Sequence, residues 1–149
     1  MNVKEYFELF ITFVGTALGY FFGEITGLMH ALLAFTVLDY FTELLAAGIL
    51  QALSLSLCFK ELARKITIFI LVGVAHVIDQ ELLGGTAMLR DAVIFFYLAN
   101  EGLSIISNAV NIGIPIPDAL KNKLLSFTEK KKKKTQKTPQ QSNTGNSGN

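Results

Sequence analysis

Four apolar stretches limit what this chain can fold into, because together they make up most of its first 114 residues. A membrane-spanning helix needs about 20 apolar residues to cross about 30 Å of hydrocarbon. The second and fourth stretches are long enough, whereas the first and third, of about 14 and 13 residues, need flanking residues to complete a span. In chain order the stretches are Leu9 to Phe22, Leu28 to Leu50, Ile66 to Ile78 and Ala92 to Ile114.

The pattern within these stretches favours helices over strands. None of them alternates cleanly between apolar and polar residues, and an open sheet cannot span lipid. We therefore predict an all-α integral membrane protein with three to four transmembrane helices, in a domain of residues 1–127. With four spans, the helices cover about residues 5–23, 27–50, 62–79 and 89–114.

The distribution of charge predicts the orientation in the membrane. Basic residues lie in a presumed loop between the second and third stretches and in the C-terminal tail, whereas the other two turns are mainly acidic. The positive-inside rule places both basic segments, and with four spans both termini, in the cytoplasm. A three-span arrangement that omits the first stretch also satisfies the rule, with the N-terminus outside. The residues predicted to fix topology and meet lipid headgroups are Lys60, Arg64, Lys65, Lys130, Lys131, Lys132, Lys133 and Lys134.

The end of the chain changes character after Pro117. Asp118 is a suitable N-cap for a short helix at the inner membrane interface. Residues 128–149 are rich in Lys, Gln, Ser, Thr, Asn and Gly, and such a segment cannot bury an apolar core. We predict a disordered, polybasic cytoplasmic tail, which either binds an anionic inner leaflet, or fixes topology and keeps the chain soluble, or does both.

Polar residues follow one face of the second and fourth stretches at spacings of three and four. Neither stretch contains a basic residue that could pair with its acids. The polar groups either join helices by hydrogen bonds or form a face that becomes wetted in an oligomer, because a carboxylate facing lipid is costly. These candidate pore-lining or oligomerisation residues are Asp39, Tyr40, Glu43, Asn100, Glu101, Ser104, Asn108 and Asn111.

Three glycines, Gly15, Gly19 and Gly23, recur at intervals of four in the first stretch. This small-xxx-small pattern allows helices to approach closely, either within one chain or between copies of it. The chain has one cysteine and two histidines far apart, and it lacks a phosphate loop or a nucleophile–base pair. We therefore expect no catalytic residue, no metal, no cofactor and no nucleic-acid partner.

The segment "FYLANEGLSIISNAVNIGIPIP" resembles a motif of the phage holin and toxin-secretion holin family, known as holin family 4. Two further segments, "LDYFTELLAA" and "FKELARK", are similar to other motifs of that family, although Glu43 and Glu61 stand where it usually has glycine. The resemblance covers about residues 15 to 125. The residues that match are Asp39, Tyr40, Thr42, Ala47, Phe59, Lys60, Lys65, Asn100, Glu101, Gly102, Ser104, Asn108, Gly113, Pro115 and Pro117.

The resemblance implies a small protein that accumulates in the bacterial cytoplasmic membrane, oligomerises and opens holes. These holes release a murein hydrolase (an endolysin) for timed host lysis, or export a toxin. The expected partners are membrane lipids, further copies of the chain, and the endolysin or toxin. A small ion channel or transporter subunit is the leading alternative, because acidic stripes also suit an ion pathway. A non-conducting membrane scaffold is a third possibility.

Overall fold

The computed structural model describes residues 1–136, and no strand occurs among them. The described part of the chain is all-α, as the apolar stretches predicted. The first four helices form one compact unit, Met1–Gly113, and the last helix belongs to a second unit that begins at Ile114. The helices are α1 (Val3–Phe22), α2 (Gly27–Ile49), α3 (Leu55–Glu81), α4 (Met88–Asn111) and α5 (Asp118–Gln136).

Local signals explain where several helices begin and end. The Asn2 backbone N–H donates to the Glu5 carboxylate at 3.1 Å, which closes the start of α1. The Ser54 hydroxyl accepts from the Leu57 backbone N–H at 3.1 Å and caps the start of α3. Gly23 ends α1 with φ of 70°, a left-handed value that favours glycine. The short turns allow the helices to pack in one unit, in which α1 lies mainly against α3 and α2 mainly against α4.

The core of the first unit lies between α2, α3 and α4. Leu32, Ile68, Val72 and Ile94 form its buried apolar centre. α2 packs most extensively against α4, and α3 packs mainly against α4. α1 contacts α3 and buries none of its own residues within the chain. The unit therefore consists of three tightly associated helices and one peripheral helix.

The contact between α1 and α3 depends on one small residue. The ring of Phe21 lies against Gly73, where any Cβ would collide with it. The Tyr20 hydroxyl also donates to the Glu81 carboxylate at 2.9 Å. Glycine at position 73 therefore allows α1 to approach α3 closely enough to place an aromatic ring on its backbone.

Two helices, α2 and α4, are long and apolar enough to cross a membrane. Most of their residues are not buried within the chain, unlike those of a core helix in a soluble protein. Their outward-facing residues include Phe35, Leu38, Phe41 and Phe95. This apolar exterior suits lipid or another apolar surface. The further spans predicted for α1 and α3 stay predictions.

Two sequence expectations are corrected by the helix bounds. The presumed basic loop is helical, because α3 begins at Leu55 and the connection before it, residues 50–54, carries no charge. Lysine and glutamate are good helix formers, and α5 continues through residues 128–136, which were predicted to be disordered. The rest of the predicted disordered tail, residues 137–149, lies outside the described residues.

Candidate functional site

Three ionisable residues lie at the same depth in three different helices. Asp39, Lys65 and Glu101 are each ten residues from one end of their helix, at Ile49, Leu55 and Asn111 respectively. Because α2 and α4 run antiparallel to α3, these three ends lie on the same side of the unit. The charges are therefore about 15 Å from that end of the helices, at a rise of about 1.5 Å per residue.

These three residues form an ion-paired group, which we call the charge cluster. The Lys65 ammonium donates a hydrogen bond to Glu101 Oε2 at 2.6 Å and another to Asp39 Oδ2. Asp39, Lys65 and Glu101 are only 0%, 4% and 3% exposed. Charges buried this deeply require partners, because the loss of their hydration is costly. A single lysine from α3 thus bridges one carboxylate from α2 and one from α4.

Polar side chains complete the environment of Asp39. The Asn108 side-chain amide donates to Asp39 Oδ1 at 3.3 Å and to the Thr42 hydroxyl oxygen at 3.2 Å. The Thr42 hydroxyl in turn donates to the Asp39 backbone carbonyl at 3.0 Å. Both carboxylate oxygens of Asp39 therefore have a donor, one cationic and one neutral.

A second set of charges, the Arg64 group, adjoins the charge cluster and comprises Arg64, Glu43 and Glu61. Arg64 Nη2 lies 3.0 Å from Glu61, 3.6 Å from Glu43 and 3.7 Å from Asp39. The Arg64 side chain is 51% exposed, whereas Glu61 is buried. The Oε2 atoms of Glu43 and Glu61 lie within ion-pair distance of Arg64, but neither is in an aligned hydrogen bond. Together the two sets hold four carboxylates and only two cations, so acids are in excess.

This arrangement corrects two expectations from the sequence. The stripes of α2 and α4 hold no basic partner for their acids, so only hydrogen bonding or wetting was expected there, whereas α3 supplies Lys65 and Arg64 as cationic partners. Lys65 was expected to meet lipid headgroups, but it is buried between carboxylates. Its partners are 26 and 36 residues away in the chain, so no spacing rule within one helix could find them. The Ser54 cap offered a signal, because a helix beginning there carries Lys65 three turns inward.

The remaining residues of the polar stripes divide into two sets. Tyr40 and Ser104 are partly buried beside the cluster without bonding to it. Asn100 and Asn111 are exposed on the outside of α4. The stripe of α4 is therefore broader than the charge cluster, and part of it faces away from the chain's own core.

Two of the three glycines in the α1 pattern have no neighbouring residue packed against them within the described chain. A Cβ at Gly15 or Gly19 would meet nothing within 4 Å, whereas one at Gly23 would collide with the His76 ring. Gly15 and Gly19 lie in an apolar groove of about 360 Å³ between α1, the start of α2 and Phe69. Of these three glycines, only Gly23 therefore serves close packing within the described chain.

A separate polar junction joins the helix ends on the opposite side. The buried Asp79 carboxylate accepts from the backbone N–H groups of Leu89 and Arg90 at 3.0 and 2.7 Å, and so caps α4. The Arg90 guanidinium donates to the backbone carbonyls of Phe22 and Glu24 at 3.4 and 3.1 Å. The α1–α2 turn is thereby tied to the α3–α4 turn. No sequence pattern predicted this junction, because Arg90 is 68 and 66 residues away from its two acceptors in the chain.

No group of three or more His, Cys, Asp or Glu side chains within residues 1–136 is arranged to hold a metal ion. The groups that the structure brings together at the site are paired charges, an amide and a hydroxyl. Such groups can hold helices together, conduct protons or ions, or become hydrated when the helices separate.

Comparison with known proteins connects this arrangement to a family. The sequence model of the bacteriophage holin family matches residues 16–129, which include the whole charge cluster. The chain belongs to the bacteriophage holin family. The resemblance noted from the sequence motifs is thereby confirmed. Family membership and the apolar helices together indicate a membrane protein with a holin role.

Relatives of this holin-family chain occur in bacteria and in a phage. An uncharacterized protein of Listeria innocua is 50% identical over 78% of this chain and 82% of its own length. An uncharacterized 14.9 kDa protein of Clostridium perfringens is 32% identical over 87% of this chain and 98% of its own length. A probable holin of Bacillus phage phi105 is 32% identical over 83% of this chain and 90% of its own length. No solved structure matched the chain significantly.

Proposed function

We propose that this protein is a phage holin that oligomerises in the cytoplasmic membrane of the bacterial host. It opens holes that release an endolysin, or a toxin, and so sets the time of lysis. The observation that carries the proposal is the charge cluster. Paired charges lie deep inside a unit whose outer surface is apolar, and the sequence belongs to the holin family.

An apolar exterior and a charged interior suit two successive states. While single subunits accumulate, the charges are paired within each chain and the apolar faces meet lipid. In the oligomer, the faces of α2 and α4 turn toward a shared lumen. Their polar side chains then lose their contacts with one another and form contacts with water, which removes the cost of burying them. The residues assigned to this lumen are Asp39, Glu43, Glu101, Ser104 and Asn108.

Other predicted residues have supporting roles in this proposal. Asn100, Asn111 and Tyr40 contact neighbouring subunits, and the open glycines Gly15 and Gly19 allow close helix packing between copies. Lys60 and the lysine run from Lys130 to Lys134 face the cytoplasm and attract anionic headgroups. Both chain termini are then cytoplasmic. The functional partners are lipids, further copies of the chain, and the exported hydrolase or toxin.

Co-expression with a murein hydrolase tests the proposal. The hydrolase carries no export signal, so it reaches the cell wall only through a hole wide enough for a folded protein. We expect growth to stop abruptly after a delay, followed by lysis only when both proteins are made. A large cytosolic reporter protein should appear in the medium at the same moment. The hydrolase alone and the chain alone serve as controls.

A small ion channel or transporter subunit is the second candidate, because buried ionisable groups also mark ion pathways in membranes. The excess of carboxylates over cations in the cluster and the Arg64 group favours it. Such a protein would collapse ion gradients without admitting a hydrolase to the wall. Loss of membrane potential with no lysis and no reporter release would therefore reject the holin proposal in favour of this one.

A further inference from the structure

The packing of α2 against α4 brings two carboxylates to one point. Asp39 projects from α2 and Glu101 from α4, and both bond the same Lys65 ammonium. Two like charges in a medium of low dielectric constant repel strongly when no cation lies between them. Lys65 therefore does more than pair with one acid. It makes the contact between α2 and α4 compatible with the charges those helices carry.

The three partners differ in what they can do when the cluster opens. All lie about 15 Å from the nearer helix ends, too deep for an Asp or Glu side chain to reach headgroups. A lysine is longer and can extend its ammonium along the helix toward the interface. Arg64, its neighbour on α3, already has half of its side chain exposed. The cations of α3 thus have a route out of the membrane interior that the acids lack.

From this asymmetry we propose that Lys65 is a latch that holds the hole-forming faces closed. While its ammonium stays between Asp39 and Glu101, α2, α3 and α4 remain together and no water enters. When α3 withdraws Lys65 from this position, Glu101 is left without a cation and Asp39 loses its closest one. The two carboxylates then draw in water, and the faces of α2 and α4 become a hydrated surface. The inference rests on the proposed holin function and assigns the regulation of the same site to one residue of α3.

The first test compares lysis onset at matched membrane protein levels. Lys65→Met removes the ammonium and keeps much of the side-chain length. We expect lysis in less than half the wild-type time, because no cation then separates the carboxylates. Lys4→Met is the matched control, since Lys4 is exposed at the start of α1, and it should keep wild-type onset. The triple variant Lys65→Met, Asp39→Asn, Glu101→Gln has no charge left in the charge cluster and should open no earlier than wild type.

The second test measures water entry beside the charge cluster and does not depend on lysis. Thr36 is buried on α2 one turn before Asp39, so Thr36→Cys in a Cys58→Ser background reports water entry. A charged, water-soluble thiol reagent is applied to membranes from cells without hydrolase, before any lysis. We expect at least tenfold more labelling when Lys65→Met is added. Lys65→Gln, which can still hydrogen-bond to both carboxylates, replaces Lys65→Met if the latter does not accumulate, and it should also open early.

Three results would overturn the latch. These are wild-type onset in the Lys65 variant, unchanged protection of Thr36→Cys in that variant, or early opening of the triple variant as well. Failure of the holin function itself is distinguishable. In that case no combination lyses cells with the hydrolase, while the thiol reagent still reports whether Lys65 controls water entry.

Discussion

At the scale of single residues, Glu101 shows most clearly that the partner of a buried charge cannot be inferred from the sequence of its own helix. It lies in the middle of α4 and is bound to a lysine of α3. Removing the Lys65 ammonium would leave the Glu101 carboxylate buried without a cation, and removing Glu101 would take one carboxylate from Lys65. Breaking a buried ion pair by removing one partner typically destabilises the fold by about 3–5 kcal/mol.

We expect Glu101→Gln to insert normally but to shift lysis timing markedly or abolish lysis. The amide can still accept from Lys65, but the negative charge is gone, and Lys65 is then paired by Asp39 alone. Glu101→Leu should be more severe, because it also removes the hydrogen-bonding group. The measurement is lysis onset at matched membrane levels, with chemical crosslinking to follow oligomers.

Glu24→Gln is the control for this pair of variants, because Glu24 is exposed in the α1–α2 turn and its side chain makes no ion pair within residues 1–136. It should leave onset unchanged. Wild-type onset for both Glu101 variants would mean that the charge cluster is not the working surface of the protein.

At the scale of elements, the attachment of α1 is the weakest in the first unit. α1 buries no residue of its own, and its closest approach is the Phe21 ring on Gly73. We expect Gly73→Leu to displace α1 from α3, because overpacking a filled contact typically costs about 1–3 kcal/mol. The displacement can be measured with a short bifunctional thiol crosslinker between Tyr20→Cys and Glu81→Cys, whose native side chains are in contact.

Gly48→Leu is the matched control, because a Cβ at Gly48 in α2 would meet nothing within 4 Å. It should leave the α1–α3 crosslink at its original yield. Equal crosslinking in the Gly73 and Gly48 variants would show that the Phe21 contact does not hold α1 in place.

The sequence predicted some elements well and others poorly, for physical reasons. α2 and α4 follow from apolar stretches of more than 20 residues, which have few alternatives in a membrane. The start of α3 was predicted at about residue 62 and not at Leu55, because the basic residues around Lys60 suggested a surface loop. That interpretation also concealed the partners of Asp39 and Glu101, since a long-range ion pair leaves no periodic signal. α5 was predicted to be short because tail composition was given more weight than the helix propensity of lysine.

At the scale of the whole molecule, the first prediction concerns orientation. The lysine-bearing start of α3 and the lysine-rich end of the chain should both face the cytoplasm, and with four spans both termini do as well. Single cysteines at Asn2 and Asn122, in a Cys58→Ser background, should resist an impermeant thiol reagent in intact cells. A cysteine at Leu83, in the turn between α3 and α4, should be labelled from outside. Labelling of Asn2→Cys from outside would reject the four-span arrangement.

The C-terminal region should tune the protein rather than create its activity. α5 carries a run of lysines that are expected to act through lipid headgroups. Truncation after Thr128 removes this run and should shift lysis timing while hole formation persists. Truncation after Gln136 keeps the run and should have the smaller effect. Complete loss of lysis in the Thr128 truncation, at normal membrane levels, would contradict this view.

In the proposed latch, the common depth of Asp39, Lys65 and Glu101 makes the time of opening depend on the thickness of the host's bilayer. In a membrane with shorter acyl chains, the headgroups lie closer to Lys65, and mismatch costs of fractions of a kcal/mol per Å favour its extension toward them. Vesicles of short-chain lipids should therefore leak an entrapped dye sooner than vesicles of long-chain lipids at equal protein density. Two hosts that differ only in lipid chain length would then tolerate the same amount of this protein for different times.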